Sequence, residues 1–260
     1  MEFLKSARRR SRVSDVLYIT LNVLLAFAIL GIVWAIESPL PALVLVLLSK
    51  WRVFAVRPRY WRAHVVSNLI DIIVSVGFVA LLYAATGAIV AQVVITLLYI
   101  GWLLFLKPAS KRRFVVAQAG VGLFVGITAA TIVAADWYVS VVVALFWLIG
   151  FAAARHVLVA YERESHVTLL SLIWGFVMAE IGWLLYHWTI AYPLPGIGDI
   201  QLPQVSIIAL TLSFLAERVY ASYHHNDEIR LADILLPLLF SLSLIALLLL
   251  FFNDTPTSLS

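Results

Sequence analysis

Glu180 is the residue best placed for chemistry. It stands inside an apolar stretch, residues 167–190, where an isolated ionised carboxylate costs about 2.5–3.5 kcal/mol on insertion scales. Trp183, Leu184 and His187 follow at i+3, i+4 and i+7, so on a helix all four share one face. A carboxyl at depth followed by an imidazole can pass protons. The expected setting is an outward-opening cavity with Glu180 at its base and His187 as its outer relay. The competing reading is a carboxyl hydrogen-bonded to a neighbouring helix, with His187 at headgroup level.

A second polar stripe, His64, Asn68, Asp71 and Ser75, is spaced by four, three and four residues. A third holds Ser206, Ser213, Glu217, Tyr220 and His224, and Gln118 adds a polar group at similar depth. Together they could line an inward-facing vestibule, with Asp71 and Glu217 as its ionisable groups and Asp71 the inner counterpart of Glu180. Against this, both acids lie within reach of arginines such as Arg62 and Arg218, and interhelical polar pairs are often structural, contributing ~0.6 kcal/mol on average. Gly122 and Gly126, extended by Ala119 and Ala130, form a small-residue packing face, within the subunit or between subunits. Pro237 is expected to kink the last helix. The acidic and histidine side chains between 156 and 228 match no established metal spacing, so neither metal nor cofactor is expected.

These residues need elements to position them, and composition names the class. Of 260 residues, 63% are hydrophobic and 12% charged, far from the ~25% charged of soluble domains. All eighteen Lys and Arg fall in five clusters, 5–12, 50–62, 107–113, 155 with 163, and 218 with 230. Two apolar crossings separate each cluster from the next. Basic loops stay cytoplasmic, so the pattern predicts an all-α polytopic bundle of about nine transmembrane helices, N-terminus cytoplasmic and C-terminus outside. The expected spans are 16–36, 39–56, 64–85, 88–106, 114–134, 137–154, 167–190, 204–220 and 231–252. They form one transmembrane domain, 15–252, between a basic tail, 1–14, and a polar tail, 253–260. The second span is the shortest, with Lys50 and Arg52 expected to snorkel toward the inner headgroups. Residues 192–203, rich in Pro and Gly, form the longest outer loop.

The setting is the inner (plasma) membrane. Basic loops meet anionic headgroups, and nucleic acid is not a partner, since no basic groove with interleaved aromatics lies outside the bilayer. The absence of cysteine removes disulfides, thiolate zinc sites and cysteine nucleophiles. There is no G-x-S-x-G elbow and no lysine in mid-span. Three functions remain. The leading one is a small-solute transporter or permease, proton-coupled through Glu180. The second is a non-catalytic scaffold or envelope assembly partner, working through a homo-oligomer or another membrane protein. The third is a membrane-embedded enzyme acting on a lipid intermediate, with Glu180 and His187 as acid and base.

Overall fold

A computed structural model of the protein describes residues 12–51, 55, 57–162, 164–187, 190–193 and 201–252. The basic and polar tails expected at 1–14 and 253–260 lie largely or wholly outside these. The described residues form ten α-helices, α1 Arg12–Ala35, α2 Leu40–Ser49, α3 Trp61–Ser67, α4 Leu69–Ala84, α5 Ile89–Gly101, α6 Arg112–Val133, α7 Val139–Leu158, α8 Val167–His187, α9 Gln204–Asn226 and α10 Leu231–Phe251. A lipid-facing backbone must satisfy its own hydrogen bonds, which uninterrupted apolar helices do.

Seven helices are long and apolar enough to cross a membrane: α1, α5 with its continuation to Leu106, and α6 to α10. The other two expected spans are shorter. Of residues 39–56, α2 supplies ten residues and ends at Ser49; residues 52–54 and 56 lie outside the description. The stretch 64–85 is divided at Asn68, whose side chain turns back to the His64 carbonyl (2.8 Å) and so competes with the helix ladder. Beyond the expected limit of 220, α9 continues to Asn226. The stretch 191–203 holds one unexpected element, an antiparallel pair of β1 (Ala191–Pro193) and β2 (Gln201–Pro203), with Tyr192 opposite Leu202.

The bundle is organised around α6, the most buried of the long helices, which packs against α4, α7 and α9. Its small-residue face explains this: a Cβ on Gly122 would press on Ile70 of α4, and one on Gly126 would meet Ile73 of α4 and Ile149 of α7. Gly122 and Gly126 therefore sit at contacts within the subunit. The most extensive contact of the fold joins α7 to α8, where Gly150 lies against Met178, Gly175 against Trp147 and Gly182 against Phe146. A Cβ at position 150 would stand 2.6 Å from the Met178 Cβ, an atom too close to the backbone to swing away. Gly150→Leu should therefore separate the pair and cost about 1–3 kcal/mol or more. Unfolding of the purified variant in mixed micelles measures it; a loss within ~0.5 kcal/mol would contradict this packing.

Contacts sort the helix ends into two sets. At one end Lys50 and Lys107 meet Asp71, Arg112 meets Tyr161 and Glu217, and Ser222 meets Asp233 (3.0 Å). At the other, the Tyr83 hydroxyl donates to the Ser38 carbonyl (2.7 Å), and Tyr186 donates to the Trp137 carbonyl (2.8 Å). There, too, Gln204 joins Tyr192 (2.7 Å) to the Leu248 carbonyl (2.9 Å). The described parts of the four later basic clusters thus share one end of the bundle.

Candidate functional site

Between α6, α7, α8 and α9 lies a cleft of about 650 Å³. Its walls are apolar: Val121, Leu123 and Phe124 from α6, Ala153 and Val157 from α7, Ile173 and Trp174 from α8, Leu210 and Phe214 from α9. The polar exceptions stand on α9, where Ser213, Glu217 and Tyr220 follow at i, i+4 and i+7 on one helix face. The cleft persists because α8 leans on α7 and α9 leans on α6 and α10, while α8 and α9 barely touch. A second, shallower groove on the same α8–α9 seam shares Trp174, Ala216 and Tyr220 with the cleft.

Glu217 closes the basic end of this cleft. Its side chain is 7% exposed. One carboxylate oxygen accepts from the Tyr161 hydroxyl (3.2 Å) and from Arg112 (3.4 Å). Arg112 also donates to the Tyr161 oxygen (2.5 Å) and lies 3.9 Å from that ring's centre. Burial, with the Glu217 charge adding to it, pushes the Tyr161 hydroxyl up to about 12, so it remains a donor at neutral pH. The second Glu217 oxygen has Arg218 at 3.3 Å, but no hydrogen bond reaches it, and the buried Ser213 hydroxyl is unpartnered too. Beyond the mouth, Tyr220 donates to Glu164, and that bond together with the His166 N–H holds the Glu164 carboxyl below the usual range. His224 packs against the rings of Tyr161 and Tyr220.

Asp71 forms a separate cluster. One of its carboxylate oxygens is shared by Lys50 and by Lys107, the latter at 3.0 Å, and the other has no hydrogen-bond partner. The Lys50 side chain is only 5% exposed. It turns into the bundle toward Asp71, in the first turn of α4, whose opposite charge pairs with it. Ser75 is buried and donates to the Asp71 carbonyl (2.7 Å), and His64 is exposed on α3. Asn68, which interrupts the helix, keeps its amide on the His64 carbonyl and the Ser67 hydroxyl. The expected stripe from 64 to 75 is therefore not one continuous lining.

Gln118 serves the backbone. Its amide donates to the carbonyls of Leu106 (2.6 Å) and Ala109 (2.9 Å), and its oxygen meets His156 (2.7 Å). The Leu106 carbonyl ends the π-helical turn Trp102–Leu106 and Ala109 lies in the turn after it, and helix ends leave carbonyls that need donors.

Glu180 is in neither cluster. It is exposed on the outer face of α8, as are Trp183, Leu184 and His187, with the Trp183 and His187 rings 5.0 Å apart. The shared face is as the spacing predicts, but it turns away from the cleft, because Gly175, Met178, Ala179 and Gly182 turn the opposite face toward α7. Among the described residues, no three His, Asp or Glu side chains gather as a metal site. No protein-family model matches the chain, and no curated protein or solved structure matches it either, so a functional reading rests on these side chains.

Proposed function

We propose that this protein is a multi-pass permease for a small, largely apolar solute, with the cleft among α6 to α9 as its solute site. One observation carries the reading: a nearly buried carboxylate, one of whose oxygens takes no hydrogen bond and has only the half-exposed Arg218 beside it, next to an unpartnered hydroxyl in an otherwise apolar cleft. Small-molecule sites have this composition and a size of about 300–1,000 Å³. A buried polar atom without a partner costs about 1–3 kcal/mol. A solute whose head donates a hydrogen bond to Glu217 and Ser213 removes that cost, while its body fills the apolar walls. The α8–α9 seam provides a route from the bilayer. Glu217, rather than Glu180, is the carboxyl such a solute would meet and with which it could exchange a proton.

The charge pattern orients the bundle in this reading. The end holding Lys50, Lys107, Arg112 and Arg218 faces the cytoplasm of an inner membrane. Although short, α2 carries the chain from the Ser38–Tyr83 contact to the Lys50–Asp71 contact, a rise of roughly 18 Å for twelve residues. With α4 returning beside it, the crossings number nine, and the C-terminus lies outside.

The test begins with thermal stability of the purified chain in detergent, across a panel of small apolar alcohols and amines. The strongest stabiliser is then radiolabelled for counterflow in liposomes. Saturable counterflow is expected, and Glu217→Gln should weaken solute affinity by about tenfold or more, since hydrogen bonds to charged groups contribute ~1.5–3 kcal/mol. Saturable binding without counterflow would remove the permease and leave a binding protein. Failure of every compound to stabilise the chain would remove the solute site.

A further inference from the structure

The geometry points to an uncharged hydroxyl as the head of the solute, selected over ammonium and carboxylate heads by Arg112 and Arg218. This inference rests on the cleft among α6 to α9 being the solute site, and it names the class of molecule which that site takes. Glu217 already stands between two cations: Arg112 lies 3.4 Å from one carboxylate oxygen and Arg218 3.3 Å from the other. Two guanidinium groups against one carboxylate leave the basic end of the cleft with a surplus positive charge. Glu164 stands beyond the mouth, bound by the Tyr220 hydroxyl and the His166 N–H, where solvent screens it from the cleft. Arg218 is kept at this end by the Phe214 ring, whose centre lies 5.4 Å from its guanidinium carbon, and Phe214 is itself a wall of the cleft.

The three heads fare differently here. An ammonium must leave water to reach a carboxylate whose charge two arginines already balance, and that attraction does not offset its desolvation. A carboxylate head only accepts hydrogen bonds, so it offers nothing to the open Glu217 oxygen and is repelled by it. A hydroxyl both donates and accepts. Its proton goes to the Glu217 oxygen that takes no hydrogen bond, and its own oxygen takes the proton of the buried, unpartnered Ser213 hydroxyl. Ser213 stands four residues before Glu217 on α9, a spacing at which helix side chains are neighbours, so one small head reaches both.

Binding of octan-1-ol, octylamine and octanoate to the purified full chain in detergent tests this, each affinity being referred to the free aqueous concentration. The alcohol is expected to bind about tenfold or more tightly than either ion, a difference of at least ~1.4 kcal/mol. Arg218→Gln removes one of the two cations and should cut the alcohol-to-amine ratio about fivefold or more, whereas Arg218→Lys keeps the charge and should hold the ratio within about twofold. Arg218 is half-exposed, so neither change disturbs a packed core. A ratio that falls equally in the Gln and Lys variants would show that charge at 218 does not select the head, and would overturn the proposal. So would an amine or carboxylate that binds the wild-type chain as tightly as the alcohol. In either case the cleft remains a solute site. Failure of all three probes to bind removes the solute site itself, and this selection with it.

Discussion

Replacing Asp71 with Ala is expected to destabilise the protein by about 3–5 kcal/mol, the range found when one member of a buried ion pair is removed. The cost is not the lost attraction alone. Lys50 and Lys107 converge on a single carboxylate, so its removal leaves two ammonium groups facing one another, with one of them buried. The two lysines are not equivalent. Lys107 retains 34% exposure and can turn to water, whereas Lys50 at 5% must shed its charge or drag α2 outward. Lys107→Met should therefore cost about 1 kcal/mol or less, as for a solvent-screened pair. The double variant Lys50→Met, Asp71→Leu should recover most of the loss, because an apolar pair of similar volume avoids the desolvation that the ions suffer. Equilibrium unfolding in mixed micelles, followed by tryptophan fluorescence, gives all three values. A single Asp71→Ala variant as stable as wild type would show that the cluster does not hold α2 to α4.

How much of this was legible beforehand varies with how local each signal is. The long apolar runs could be read because each crossing must satisfy its own backbone within about twenty residues, which is a local requirement. Glu180, Trp183 and His187 fell on one face as helix periodicity demands, but periodicity does not say whether a face turns inward or outward. That is decided by Gly175 and Gly182, which draw the opposite side of α8 onto α7. The pairing of Asp71 with Lys50 and Lys107, rather than with an arginine, depended on where α2 stops and where the π-helical turn ends. Neither has a periodic signature. One clue was present: Lys50 directly closes a short apolar run, and a lysine so placed is well served by an acid nearby. Arg112 and Tyr161 escaped notice because they reach Glu217 from segments about 105 and 56 residues away in sequence.

The second large effect is expected from filling the cleft. Ala154 of α7 lines it and is only half-buried, so the added ring of Ala154→Phe can occupy the space among α6, α8 and α9 without displacing packed side chains. A cavity-filling substitution commonly leaves stability unchanged or raises it by about 0.5–2 kcal/mol. The same ring should lower affinity for the cleft's solute by about a hundredfold or more, since overlap with a ligand of that site sacrifices well over ~2.7 kcal/mol. The variant would thus lose both the solute-induced rise in melting temperature and the counterflow while keeping a normal or raised baseline. That separates it from Glu217→Gln, which should weaken binding through the solute's head and spare its apolar body. A matched change on the outer face, Leu236→Phe on α10, adds the same ring where lipid stands and should alter neither measurement. If Ala154→Phe folds normally and still supports full counterflow, the solute does not pass through this cleft, and the unpartnered Ser213 hydroxyl beside the Glu217 carboxylate requires another explanation.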